Sequence, residues 1–268
     1  MQLVYMQLGS SGLKQFRIAA ESVRIVEPEA EIVLYTDQPP AAIGVEGIAV
    51  RRWTLDQIPD ESRANTPEFG RIMLEKMRVM RDALARSSSY IVYSDVDIIA
   101  CRPFRKRCEQ AAALRTVHVS TEGDDRIPEV VCAGFLILRN DAVALDFLRS
   151  WEEHTAAVIA RDPTRNDEDA LNDLLAASDD WRPHVERLSS NFAAPGWFYS
   201  ALVPLNNLRL TPLFFHSNWT HGHRVKEGQM AAAFHIFHSR PHRPLARLAF
   251  RSVRFVLRAY GRALGTIR

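Results

Sequence analysis

The chain has little of what specialised architectures need. It carries three cysteines in 268 residues, Cys101, Cys108 and Cys132. Their spacing matches no metal finger, and three are too few for a disulfide scaffold, so a reducing compartment is the simplest setting. No apolar run reaches the roughly 18 residues of a membrane-spanning helix. The opening Met1-Gln2-Leu3-Val4-Tyr5 lacks a basic stretch and a long apolar stretch, so no signal peptide is expected and a cytoplasmic location is. Internal repeats and low-complexity segments are absent. Acids are missing after Glu227, where the chain turns rich in arginine. The rest is ordinary: 47% hydrophobic, 25% charged, formal net charge +2. Such a chain can bury the core of one large domain, or of a domain with an appendage.

Hydrophobic patterning predicts an α/β order. Leu3 to Leu8 reads as a buried strand, Gly9-Ser10-Ser11-Gly12 as a flexible turn, and Leu13 to Glu27 as an amphipathic helix stopped near Pro28. Glu31 to Asp37 is a second strand. A strand–helix–strand unit of this length implies a right-handed parallel crossover. Ligands of such sheets bind beyond the carboxyl ends of the strands. A short strand is expected near Ile48-Ala49-Val50 and a helix over Ile72 to Ala85, whose Met-rich stripe reads as core. Arg71, Lys76, Arg78 and Arg81 lie on that helix, and those nearest the crevice are candidates to meet phosphate. Val117 to Ser120 and Val130 to Leu138 read as strands. Ala142 to Arg161 and Asp167 to Ala177 read as helices, the second with Asp167 as a candidate cap. Residues 181–207 read as irregular, and Leu213-Phe214-Phe215 as a last strand.

Tyr90-Ile91-Val92-Tyr93 leads into Ser94-Asp95-Val96-Asp97, where a buried strand is expected to reach the surface. Side chains alternate along a strand, so both aspartates are expected on one face. Two hard oxygen donors there suit Mg²⁺ or Mn²⁺, which bridges an enzyme to a diphosphate. A bare Asp-x-Asp is more often only a polar strand end. Three further motifs join it: Cys132-Ala133-Gly134-Phe135, Asn166-Asp167-Glu168-Asp169-Ala170-Leu171-Asn172, and His216-Ser217-Asn218-Trp219-Thr220-His221-Gly222 with Lys226.

In order and spacing the four motifs resemble the retaining GT-A glycosyltransferases, closest to family 77 and more distantly family 8, over about residues 1–230. The resemblance implies a GT-A fold, a Rossmann-like and mostly parallel sheet flanked by helices, with a catalytic domain over 1–238. It implies a hexosyltransferase that uses Mn²⁺ or Mg²⁺ and a nucleotide-sugar donor, UDP being the family's usual nucleotide. Asp95, Asp97 and His216 would hold the metal. Asn218, Gly222 and Lys226 would meet the diphosphate, Gly222 by close backbone approach and Lys226 as a point charge. Ala133 and Gly134 resemble a small-residue turn beneath the donor sugar, and family members often carry Asn where this chain has Cys132. Asp167 would bond sugar hydroxyls, and Glu168, which replaces the usual Gln, would stabilise or attack the anomeric carbon. The nucleotide would lie across Leu8, Gly9, Thr36 and Asp37, beside Ser94, with Tyr35 or Tyr5 stacking on it.

Residues 239–268 read as a separate basic tail. Arg247, Arg251, Arg254, Arg258 and Arg262 fall at helical steps of three or four. Leu245, Leu248, Val253, Val256, Leu257 and Tyr260 fill much of the rest. This suits an interfacial helix on an anionic membrane, the alternative being a helix docked on the domain. No nucleic-acid module accompanies the basic residues, so no nucleic-acid partner is expected. The acceptor is expected to be a glycan or glycolipid. Two other readings stay open: a sugar-1-phosphate nucleotidyltransferase, poorly matched by Gly9-Ser10-Ser11-Gly12, and a membrane-associated protein with a degenerate donor site.

Overall fold

A computed structural model describes residues 1–55, 66–121, 130–189, 192–194, 212–217 and 223–238. The elements run β1 (Gln2–Gln7), α1 (Leu13–Val26), β2 (Glu31–Thr36), α2 (Pro40–Ile43), β3 (Ala49–Arg52), α3 (Pro67–Arg86), β4 (Tyr90–Ser94), β5 (Ile98–Ala100), α4 (Arg105–Leu114), β6 (Val117–Thr121), β7 (Val131–Arg139), α5 (Ala142–Arg161), α6 (Asp167–Ala177), β8 (Val185–Leu188), β9 (Ala193–Ala194), β10 (Phe214–His216) and α7 (His223–His238). The fold is the expected α/β GT-A type. Seven strands form one sheet in the order β3-β2-β1-β4-β7-β6-β8. Pairs β1/β2, β1/β4, β2/β3 and β6/β8 are parallel, while β7 runs against both β4 and β6. A second sheet, β5-β10-β9, stands beside it.

The central strands are buried over most of their length, which is why they read as continuous apolar runs rather than alternating ones. Each face of the sheet carries its own core. One is built on Phe16, Phe104, Phe135 and Phe214, under α1 and α4. The other is built on Met77, Met80, Phe147 and Trp151, where α3 packs on α5. The Met-rich stripe of α3 is core, as expected. Arg78 and Arg81 pin α3 to α5 through Glu152, each at 2.6 Å.

Helix ends show where local chemistry was misread. Helix α3 starts at Pro67, five residues before Ile72, because Thr66 caps it by accepting from Phe69 N and proline is pre-shaped for the first turn. Asp167 does not cap α6. Asn166 does, in a capping box with Asp169 that leaves the Asp167 side chain free to turn inward. Strands β5, β8 and β9 and helices α2, α4 and α7 are additions to the expected elements, and β8 and β9 fall in the stretch expected to be irregular. The tail, residues 239–268, lies outside the described residues, as do Asn218 and Gly222.

Candidate active site

Strand β4 ends at Ser94, and the Asp-x-Asp lies in the turn that follows rather than on the strand. Asp95 N still donates to Gly134 O at 2.8 Å, one last rung against β7. Ile98 N then closes on Asp95 O at 3.2 Å and starts β5. The two carboxylates converge because the chain turns, not because strand side chains alternate. His216, at the end of β10, pairs across from Ile98 and joins them. One ligand atom from each of Asp95, Asp97 and His216 lies within 4.8 Å of the others. Ser94 lies buried behind the turn, its hydroxyl donating to Asp95 O at 3.1 Å.

Asp95, Asp97 and His216 line a crevice of about 290 Å³ beyond the carboxyl ends of β1 and β4, and Ser94 does not reach it. Leu8, Lys76, Ala133, Gly134, Asp167, Glu168 and Lys226 line it too. Lys76 is buried and bonds Ala133 O at 3.1 Å and Asp167 Oδ2 at 2.8 Å, with Asp95 Oδ1 at 3.3 Å. Burial alone would push the Lys76 pKa down, but Asp167 and Asp95 more than reverse this and hold it protonated. Its donors are thus committed to the protein's own carboxylates, which places it beneath the site as a fixed charge. Lys226 Nζ sits 2.6 Å from Asp97 Oδ2, and His216 Nε2 sits 3.2 Å from Asp97 Oδ1. Burial opposes ionisation of Asp97, yet Lys226 and His216 outweigh it and hold the carboxyl well below its usual range. Asp95 goes the other way: burial raises its pKa more than Lys76 lowers it.

Ala133 and Gly134 form part of strand β7, not a turn. Gly134 is nonetheless required: a Cβ there would stand 2.6 Å from His216 Cε1 and 3.0 Å from Asp95 Oδ2. Glu168, on the first turn of α6, accepts from Ala133 N at 3.1 Å. Burial raises its pKa, and the neighbouring Asp167 adds to this. On the β1–β2 side, Gly9 takes a left-handed φ of 73° and its N–H donates to Asp37 Oδ1 at 2.9 Å. Tyr35 and Tyr5 do not reach the crevice as stacking platforms. Tyr35 packs edge-on against Trp53 with its hydroxyl on Asp82 at 2.7 Å, and Tyr5 packs edge-on against Phe16. Both point into the cores because central strand positions are covered on both faces.

Sequence reasoning missed the supports. Tyr93 donates to Asp95 Oδ1 at 3.1 Å, and Trp151 Nε1 donates to Asp167 O at 2.8 Å. Cys132 Sγ lies 3.6 Å from His216 Nδ1. The Cys132–His216 contact crosses between elements distant in the chain, and the Trp151–Asp167 contact joins consecutive helices through their packing, so no motif announces them.

A Rossmann-like sheet with a charged crevice at the ends of its parallel strands defines the class: a GT-A enzyme acting on nucleotide sugars. The chain belongs to the nucleotide-diphospho-sugar transferase family, whose profile matches residues 46–230. It is therefore a glycosyltransferase, and sugar transfer takes precedence over nucleotidyl transfer. No curated protein matches the chain significantly. Among solved structures it is similar to a galactosyltransferase, LgtC, determined in complex with donor and acceptor sugar analogues. That match has a TM-score of 0.51 at 12% identity and covers 87% of this chain and 96% of the other.

Proposed function

We propose that the protein is a divalent-metal-dependent, retaining hexosyltransferase of family 77 type, moving a sugar from a UDP-sugar to a glycan or glycolipid acceptor. One observation carries the metal reading. Four carboxylates in the crevice, Asp95, Asp97, Asp167 and Glu168, face two ammonium groups, Lys76 and Lys226. The formal deficit is two positive charges, the charge of one Mn²⁺ or Mg²⁺. The donor set fits as well. Two carboxylates and an imidazole suit Mn²⁺, and the 3.2 Å between His216 Nε2 and Asp97 Oδ1 matches donors sharing one ion at about 2.1 Å each. Asp95, Asp97 and His216 would hold the cation, which when bound offsets the charge of the departing diphosphate.

The chain's own residues supply the rest. Lys226 lies beside Asp97, where it adds a second positive charge for the diphosphate. Gly134 leaves room where a side chain would block His216 and Asp95. Asp167, fixed by Lys76, presents its carboxylate to donor hydroxyls. Glu168 has an oxygen engaged by Ala133 N–H, which suits a fixed negative charge beside an oxocarbenium-like carbon better than an attacking nucleophile. Acceptor attack on the donor's leaving-group face then retains configuration. Leu8, Gly9 and Asp37 frame the nucleotide. Asn218 and Gly222 belong to the diphosphate loop in this reading, and the basic tail holds the enzyme reversibly on an anionic membrane.

The test is a panel of nucleotide sugars assayed for released nucleotide and for product anomer. UDP-hexose turnover is expected with Mn²⁺, lost in EDTA and restored by excess Mn²⁺, with donor configuration retained. Full rates in EDTA would overturn the metal role, and an inverted product the retaining one. Sedimentation of the full chain with anionic liposomes at low salt checks the tail.

A further inference from the structure

Cys132 lies on β7 inside the crevice wall, 3% exposed. Its Sγ stands 3.6 Å from His216 Nδ1, while the opposite ring nitrogen, Nε2, faces Asp97. Interaction with the same thiol favours the ionised form of the Glu168 carboxyl against the opposing effect of burial. The next residue, Ala133, directs its backbone N–H to that carboxylate, at Oε2. Successive groups of one strand therefore hold Glu168, and one of them also touches the imidazole.

We propose that Cys132 is a positioning residue that links the metal ligand His216 to Glu168, fixing the imidazole tautomer and the carboxylate together. The inference rests on the divalent-cation reading above. A ring nitrogen can bind a cation only through its lone pair, so a cation held by Nε2 requires the proton on Nδ1. That proton needs an acceptor. A thiol is a weak donor and a weak acceptor at once. Its S–H serves Glu168, whose ionised carboxylate only accepts, and its sulfur lone pairs remain for the Nδ1–H. The order of groups is then Nε2, imidazole, Nδ1–H, sulfur, S–H, carboxylate, with a partner for each proton. Gly134 leaves the imidazole its place, since a Cβ there would meet the ring. Valine at 132 would fill the thiol's volume with no acceptor. Serine would keep both roles on a shorter reach.

Full-length wild type, Cys132→Val, Cys132→Ala and Cys132→Ser are compared for Mn²⁺ affinity, read from the spin-resonance signal of free ion. Imidazole ¹H–¹⁵N spectra of the Mg²⁺-loaded proteins report the hydrogen bond and solvent protection of the His216 Nδ1–H. Partners behind a metal ligand are worth about 10–100-fold in affinity. The Val and Ala variants should weaken Mn²⁺ by that factor and lose the protected Nδ1–H signal, and Ser should recover part of both. Melting curves establish that each variant is folded, and if Val and Ala are not, the wild-type spectrum carries the test, since an unprotected Nδ1–H there overturns the proposal. Wild-type affinity in a folded Val or Ala variant, or weakened affinity with the Nδ1–H signal unchanged, overturns the positioning role while leaving the cation reading intact. No Mn²⁺ binding by the wild type itself would instead show that the cation reading has failed, and the link with it.

Discussion

Beside the crevice, at the ends of β1 and β2, the chain is held largely by main-chain and amide contacts, and Gly9 and Asp37 stand outside the crevice lining. Gly9 turns through a left-handed φ, its N–H meets Asp37, and Gln7 caps the Leu8 and Gly9 carbonyls at 2.8 and 3.2 Å. At the ends of β4 and β7 the wall is charge on charge: Lys76 between Asp95 and Asp167, and Asp97 between Lys226 and His216. The first half is set by backbone shape and loses little when one side chain changes. The second is a buried charged set in which Asp167 and Asp95 hold Lys76 protonated, and Lys226 and His216 hold the Asp97 carboxyl ionised. Removing one leaves an uncompensated charge in a low-dielectric site, which costs far more than the contact contributed.

The comparison is hardest on Lys76. Lys76→Met leaves Asp95 and Asp167 facing each other without their shared cation. Breaking a buried pair in this way costs about 3–5 kcal/mol. The expected result is a matching drop in denaturant midpoint at neutral pH, with transfer abolished. A variant as stable as wild type would show that the charged half is less interdependent than its geometry indicates.

Asp97→Asn comes next. It removes a proposed ligand and unpairs Lys226, so turnover should fall on the order of 10²–10³-fold, the scale of losing one preorganised electrostatic contact. Its pH dependence has a definite sign. The folded Asp97 carboxyl is held below its ordinary value of 3.8, so its contribution is present above that pH and lost as pH falls through the folded value. The stability difference between wild type and Asp97→Asn, followed by urea unfolding, should therefore shrink on acidification below about pH 4.

Glu168→Gln is milder. Burial raises the folded Glu168 carboxyl above 4.5, so its neutral form favours folding at low pH and that advantage is lost as pH rises through the folded value. The Gln variant should gain stability relative to wild type over that rise and then level off. It should lower transfer by about tenfold to a hundredfold, because the amide oxygen still accepts from Ala133 N–H but the negative charge is gone. A glycosyl adduct on intact wild-type protein, with an inactive Gln variant, would instead make Glu168 the nucleophile.

The same contrast explains what the sequence reveals. Strands β1, β2, β4 and β7 and helices α5 and α6 are legible because apolar runs and helical periodicity are local properties. The four motifs are legible as motifs, yet their meeting point depends on chain-distant pairs such as Ile98 with His216. Lys76 reads as a candidate phosphate contact until Asp167 of α6 and Ala133 of β7 take its donors. Tyr35 reads as a ring at a strand end, but Trp53 and Asp82 hold it in the core. The Asp-x-Asp is legible as paired oxygen donors, but the strand expected to present it stops at Ser94. A single turn hydrogen bond between Asp95 and Ile98 decides that, and no residue type in the motif signals it.

The smallest effect is expected in the neutral half, at Asp37. Its carboxylate accepts from Gly9 N–H and from Gln38 Nε2, at 2.9 and 3.0 Å. Asparagine keeps one acceptor oxygen, so the Gly9 turn keeps its partner and Asp37→Asn should change stability by no more than about 1 kcal/mol. In the proposed reading Asp37 frames the nucleotide without touching reacting atoms, and so contributes to ground-state and transition-state binding alike. Its loss should raise the donor KM several-fold and leave kcat unchanged, a split that steady-state kinetics on the preferred donor will read. A kcat collapse like that of Asp97→Asn would mean that Asp37 acts on the chemistry, and that the two regions share one electrostatic system.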